Sequence, residues 1–243
     1  MTMHAFDLSV VDTSWRPCIE SALQQMDSDY LSQLTLSSAW LPGHDKIFNA
    51  FSLPVEKVKY VLFGESPYPR SASANGYAFW DDAVEKLWSP TGFDKKVNRA
   101  TSLRNMLKMM LIAAGKLKAG HTTQNDIASL DKQAFISTNE ELFQNFLRHG
   151  FLLLNASPVL QPEQPPQKDA KAWLPFIQKV LQFLLKERPD IHLVLFGKIA
   201  NAIDPLVNTR EINKLYAEHP YNLSFITNPD VLAFFKKLNL LAR

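Results

Sequence analysis

The sequence predicts an α/β fold: a three-layer sandwich whose central four-stranded, mostly parallel sheet is covered by helices on both faces. Two observations carry this. Short apolar runs (Tyr60 to Phe63, Phe151 to Leu154, Ile191 to Phe196) read as strands buried on both faces. Between and after them lie segments with helical spacing, so that strand and helix alternate, the pattern of a parallel sheet.

Residues 1–56 read as mostly helical, packing on the sheet. Ser14 is placed to cap a helix over 16–26, with Pro17 in its first turn, and a second helix is expected over 29–38. Trp40-Leu41-Pro42-Gly43 reads as a turn and 46–51 as a short helical piece. The first strand then runs into Gly64-Glu65-Ser66-Pro67-Tyr68-Pro69. There the glycine permits a turn, and the prolines end any strand or helix. By itself this is a strand followed by a proline-rich turn. Residues 80–99 read as a polar, irregular insertion with a turn at Pro90-Thr91-Gly92. Thr101 or Ser102 is placed to cap a helix through Met106, Leu107, Met110 and Leu111. Residues 116–138 read as a loop with one short helical turn, and Thr138 to Glu141 begins a helix that ends near Gly150.

After the second strand, 161–169 reads as a proline- and glutamine-rich surface loop. A helix over 172–186 has Leu174, Ile177, Val180, Leu181 and Leu184 on its apolar face, and Pro189 stops it. The third strand ends at Gly197, a helix is expected over 198–206, a weaker strand over 212–217, and a closing helix over 230–240. No repeat, low-complexity tract or long linker divides the chain, so one domain is expected over 1–243.

The chain has 243 residues, 46% of them hydrophobic, enough for a sizeable core. No stretch has the roughly 18 unbroken apolar residues of a membrane span, and no signal pattern is present, so a cytoplasmic protein without membrane contact is expected. A single cysteine, Cys18, excludes an internal disulfide, a cysteine-held iron–sulfur cluster and a thiolate-rich zinc site. No His/Asp/Glu cluster has metal-ligand spacing, and neither G-x-G-x-x-G nor a P-loop occurs, so no cofactor is expected. The absence of G-x-S-x-G argues against an α/β hydrolase. The net charge of +2 is weak support for a nucleic-acid partner.

Parallel strands end along one edge of their sheet, where open α/β folds bind ligands. Sheet geometry therefore gathers Glu65, Ser66 and Tyr68; Asn155 and Ser157; Lys198; and His219 and Tyr221. The set holds an amide, an imidazole, hydroxyls, aromatics and one carboxylate.

Six motifs in order then resemble the uracil-DNA glycosylase family. Gly64 to Pro69 stands where that family has G-Q-D-P-Y-H, and Gly76-Tyr77-Ala78-Phe79 where it has G-L-A-F. Ser102-Leu103-Arg104-Asn105-Met106 stands for S-L-K-N-I, and Leu152 to Asn155 matches L-L-L-N intact. Leu195 to Ala200 stands for L-W-G-x-x-A, and His219 to Ser224 for H-P-S-P-L-S. A seventh echo, I-F-x-A-F, lies at Ile47 to Phe51. The resemblance implies a monomeric base-excision enzyme acting on uracil in single- or double-stranded DNA, with these roles. Phe79 stacks on the flipped base. Asn155 reads its edge, offering donor and acceptor together, and Tyr68 fills the space a thymine methyl needs. His219 donates to the base carbonyl as charge builds there. Leu223 wedges into the duplex, and Ser102, Ser157 and Ser224 lie along the DNA, with Ser102 and Ser224 holding phosphates.

Two departures affect the chemistry. Ser66 stands at the family's water-orienting aspartate, and a neutral hydroxyl cannot take the water's proton at neutral pH. Branches with G-E-A-P resemble Glu65-Ser66-Pro67, which implies that Glu65 supplies the charge. Pro69 replaces the family's histidine. Each residue also has a structural reading: Phe79 and Leu223 as core, Asn155 as a turn cap, His219 as a structural histidine. The alternative function is a binding module on the same fold, recognising DNA or a protein without turnover.

Overall fold

Pro17 lies in the first turn of helix α1 (Arg16–Leu23), where its missing N–H costs nothing. The computed structural model describes residues 6–207 and 212–243. Helix α2 (Ser28–Leu36) precedes strand β1 (Tyr60–Gly64); then come β2 (Trp88–Ser89), β3 (Gly92–Phe93) and helices α3 (Lys95–Arg99), α4 (Thr101–Ala113), α5 (Gln124–Ala128) and α6 (Asn139–Arg148). The chain continues with β4 (Phe151–Asn155), α7 (Pro166–Glu187), β5 (His192–Phe196), α8 (Ile199–Ile203), β6 (Asn213–Ala217) and α9 (Pro229–Lys236).

The expected fold class holds: a central four-stranded parallel sheet, ordered β4-β1-β5-β6, with helices around it. β1 and β4 pair in parallel from Tyr60 opposite Phe151 to Gly64 opposite Asn155. Val61, Leu62, Phe63 and all five residues of β4 are buried, so both faces of these strands are covered, as their unbroken apolar runs require.

By packing, the chain forms two compact units, each discontinuous in sequence. One comprises residues up to Asp81 with Gly150–Val194 and Ile199–Lys214; the other comprises Asp82–His149, Leu195–Lys198 and Leu215–Arg243. In the first, α7 buries Asp169, Trp173, Phe176, Ile177, Val180, Leu181 and Leu184, a stripe at helical spacing. Trp173, Phe176, Phe48 and Phe51 interlock there, with Phe48 stacked on Phe176 at 5.7 Å. Trp15 joins them edge-on to Phe51 and donates its indole N–H to the Leu53 carbonyl at 2.7 Å. In the second, the Asn145 amide donates to the carbonyls of Leu240 and Ala242, fastening the C-terminal segment to α6.

Several local expectations are corrected. Ser14 does not cap α1: its hydroxyl donates to Asp12 and accepts from the Val55 N–H, tying the entry of α1 to the segment before β1. Neither Thr101 nor Ser102 caps α4, whose N-cap is Ala100. Residues 80–99 are not irregular throughout. They hold the β2–β3 hairpin, pinned by Trp88 stacking on Phe93 at 5.5 Å and by its indole donating to the Ile136 carbonyl, and then α3. α7 begins at Pro166, inside the expected loop, because prolines at a helix start lose no hydrogen bond. Leu174 is 41% exposed, off the buried stripe that its neighbour Trp173 joins. The last helix starts at Pro229, capped by Asn228, and ends at Lys236, four residues early.

Candidate active site

At the end of β1, Gly64 lies opposite Asn155 in register. A Cβ on Gly64 would stand 2.5 Å from Asn155 Oδ1 and 3.0 Å from the Ala78 Cβ. Only glycine lets the Asn155 side chain lie over the backbone there. The pairing continues past the strands, with Ala156 N–H donating to the Gly64 carbonyl and Ser157 N–H to that of Glu65, both at 2.9 Å. Asn155 is 4% exposed, and among the described residues no hydrogen bond engages its carboxamide. A buried amide is normally paired, so this one is available to a ligand.

Phe79 is held next to it. Its backbone has φ 64°, a left-handed conformation that is costly for an aromatic residue. Three bonds hold the segment in this shape: Ala78 N–H donates to the Leu153 carbonyl of β4 at 3.0 Å, the Tyr68 hydroxyl to the Phe79 carbonyl at 3.2 Å, and the Asn49 amide to the Asn75 carbonyl at 2.8 Å. Gly76 is also obligatory, since a Cβ there would overlap the Lys46 carbonyl oxygen. Burial raises the Tyr68 phenol well above its ordinary value, the Asp81 carboxylate adds to this and Arg70 opposes it, so the hydroxyl remains a donor at neutral pH. Ser66 is half-buried and Glu65 is exposed. Ser157 is 1% exposed and its hydroxyl donates to the Val159 carbonyl at 2.7 Å. The hydroxyl expected along DNA is therefore occupied in a turn.

The second unit carries the other residues. His219 Nδ1 accepts from the Tyr221 N–H at 3.1 Å, so in the neutral ring the proton sits on Nε2. Gly197, at φ 75°, makes room for it: a Cβ would lie 2.9 Å from that of His219. Asn105, buried in α4, donates to the Pro220 carbonyl at 2.7 Å and fixes the loop from the helix side. Asn222 N–H donates back to the His219 carbonyl at 2.9 Å, closing a turn that leads into a 3-10 helix, Leu223–Thr227. Phe225 anchors that helix edge-on to Phe196 at 5.0 Å. Tyr221 and Leu223 are left 69% and 67% exposed, so Leu223 is not core. Ser224 is exposed, and its hydroxyl is the main reason the Glu218 carboxyl lies below its ordinary range, with Asn228 adding to it. Ser102 is half-buried in the first turn of α4, and Lys198 is exposed.

The structure thus brings Glu65, Ser66, Tyr68, Phe79, Asn155 and Ser157 to neighbouring segments of one unit, and Ser102, Lys198, His219, Leu223 and Ser224 to the other. Sequence reasoning named Gly64, Gly197 and Asn105 without assigning their positioning roles, and missed the pair Arg70–Asp81. A glycine directly after an apolar run is the one signal that pointed to the first two. Among the described residues, no group of three or more His, Cys, Asp or Glu is placed to hold a metal ion, and no helix is long and apolar enough to cross a membrane.

Known proteins were then compared with this arrangement. No protein-family model matches the chain. The crystal structure of wild-type UNG from Nitratifractor salsuginis superposes with a TM-score of 0.92 at 39% sequence identity, covering 97% of this chain and 95% of that one. The uracil-DNA glycosylase of Amoebophilus asiaticus is 26% identical over 215 residues, 85% of this chain and 82% of that protein. The mimivirus uracil-DNA glycosylase structure, at 17% identity and a TM-score of 0.59, shares the fold.

Proposed function

This chain belongs to the uracil-DNA glycosylase family, and on that premise we propose that it is a base-excision repair glycosylase that hydrolyses the N-glycosidic bond of a uracil flipped out of DNA. The observation that carries the reading is Asn155, 4% exposed and with no hydrogen bond to its carboxamide among the described residues, at the strand end to which the strained Ala78–Phe79 backbone is bonded. An amide reads the pyrimidine edge with a donor and an acceptor at once. Phe79 stacks on the base and replaces the stacking lost on flipping. Tyr68 bounds the space a 5-methyl group would need.

As the bond between C1′ and N1 breaks, its electron pair goes to the base and negative charge collects on the carbonyl oxygens. His219 stabilises that charge from Nε2–H, a tautomer supported by the Tyr221 hydrogen bond to Nδ1. Water adds to C1′ and gives up its proton, leaving free uracil and an abasic site. Ser66 holds that water, and the Glu65 side chain accepts the proton. Leu223 enters the gap in the duplex, while Ser102 and Ser224 lie along the phosphates. Ser157 positions the Asn155 segment through its turn. The protein acts as a cytoplasmic monomer on single- or double-stranded DNA.

The test is an incubation with single-stranded DNA carrying one uracil, with abasic sites counted after alkaline cleavage. Wild-type protein yields product, and Asn155→Ala lowers the rate by about 10²-fold or more, the scale of losing a site hydrogen bond aimed at developing charge. Wild-type product no greater than that of Asn155→Ala ends the reading. The alternative, a binding module without turnover, is favoured by the neutral Ser66 and predicts retention of the DNA with no abasic sites.

A further inference from the structure

We propose that Arg70 is a DNA phosphate-binding residue, held ready by the buried Asp81; the inference rests on the glycosylase reading above. Arg70 Nη2 lies 3.1 Å from Asp81 Oδ2, with the aspartate side chain 3% exposed and the arginine side chain 67% exposed. The geometry is one-armed. A guanidinium has five N–H donors; among the described residues one of them bonds to Asp81, and the side chain is otherwise largely open to solvent.

The pair also closes a ring. Tyr68 bonds through its hydroxyl to the Phe79 carbonyl; Phe79 leads by two residues to Asp81; Asp81 holds Arg70; and Arg70 returns through Pro69 to Tyr68. The backbone at Arg70 is fixed as well, since its carbonyl accepts from the N–H groups of Ser73 and Ala74 at 2.9 and 3.0 Å. The exposed cation is thus tethered to the two aromatic residues assigned to the flipped base. A nucleotide seated on them brings its own phosphates. An arginine fork matches phosphate oxygens, whereas an exposed ion pair adds little to stability. The buried Asp81 thus gives the exposed guanidinium a fixed anchor from which it can be aimed.

The experiment measures KM and kcat for uracil release from single-stranded DNA over a range of salt concentrations. It uses wild-type protein, Arg70→Gln, Asp81→Asn and, as a charge control far along the chain, Lys171→Gln at an exposed position of α7. Arg70→Gln is expected to raise KM about five- to tenfold with kcat nearly unchanged, and to flatten the plot of log(1/KM) against log[salt] by about 0.7, the loss of one phosphate contact on a single strand. Asp81→Asn raises KM but keeps the wild-type slope, because the charge remains while its aim is lost. Lys171→Gln leaves KM and slope as they are. An Arg70→Gln slope equal to wild type, or an equal flattening in Lys171→Gln, overturns the phosphate role while leaving the glycosylase reading standing. A wild-type protein that releases no uracil overturns that reading instead. Should Asp81→Asn lower the melting temperature sharply, Arg70→Gln alone decides, since its side chain is exposed.

Discussion

A buried side chain can be no better placed than the backbone beneath it allows. Gly64 shows this, because a methyl group there would need the space held by Asn155 Oδ1, 2.5 Å away, and by the Ala78 Cβ, 3.0 Å away. Gly64→Ala is expected to displace the Asn155 carboxamide. Overpacking of this kind costs about 1–3 kcal/mol, so the variant folds with a lower melting temperature while uracil release drops at least about tenfold. A melting curve and the abasic-site assay on one preparation check both halves. Unchanged turnover would show that Asn155 is not held by this contact. Tyr68, Phe79, Asn155 and His219 were nominated by the sequence because their chemistry is in their side chains and their order follows a family. The positioning roles of Gly64, Gly197, Asn105 and Arg70–Asp81 were not legible, since each acts through a contact between segments far apart in the chain. The fate of the Ser157 hydroxyl was hidden for the same reason: nothing local says whether a serine faces solvent or closes its own turn.

Elements differ in how far their own residues specify them. The start of α6 was legible because the capping box is local: the Thr138 hydroxyl accepts from the Glu141 N–H, and the Glu141 carboxylate accepts from the Thr138 and Ser137 N–H groups. Those bonds, that from Ser137 first, hold the Glu141 carboxyl below its ordinary value of 4.5. A depressed folded pKa gives stability that is present above the unfolded value and lost as pH falls through the folded one. Glu141→Gln should therefore melt below wild type at pH 7, with the gap closing as the pH falls below 4.5 and through the lowered folded value. Thr138→Ala should cost about 1 kcal/mol across that range. Thermal melts across a series of falling pH values separate the two, and a gap for Glu141→Gln that does not narrow as the pH falls would place its effect outside ionisation. α4 is the contrary case. Its cap could not be read because Ala100 supplies no side-chain bond. Likewise the two-residue strands β2 and β3 have no periodicity to detect, and exist through Trp88 and its contacts with Phe93 and Ile136.

For the molecule as a whole, the sheet and its helices follow from apolar runs and their alternation, and a protein 39% identical keeps the same architecture with a TM-score of 0.92. Such a fold tolerates change in a strand-end loop, where backbone geometry matters more than the identity of an exposed side chain. Under the proposed function, Ser66 is the position at which binding and turnover would separate. Pro67 and Gly64 bracket the loop, and the Glu65 carbonyl is held by the Ser157 N–H at 2.9 Å, so a new side chain at 66 starts from fixed backbone. Ser66 is half-buried rather than core, and Ser66→Asp adds one carbon and one oxygen there. A carboxylate at that position both orients water and stabilises the cationic sugar, work typically worth about 10²–10⁴-fold. Ser66→Asp is therefore expected to raise kcat for uracil release by about 10²-fold while KM stays within about twofold, since the base contacts are untouched. Glu65→Gln in the wild-type background should lower kcat, and the same change in the Ser66→Asp background should matter little, because the aspartate then takes the proton. Single-turnover kinetics on all four proteins measures the coupling directly. If Ser66→Asp is no faster than wild type and Glu65→Gln is silent, the catalytic charge does not come from this loop.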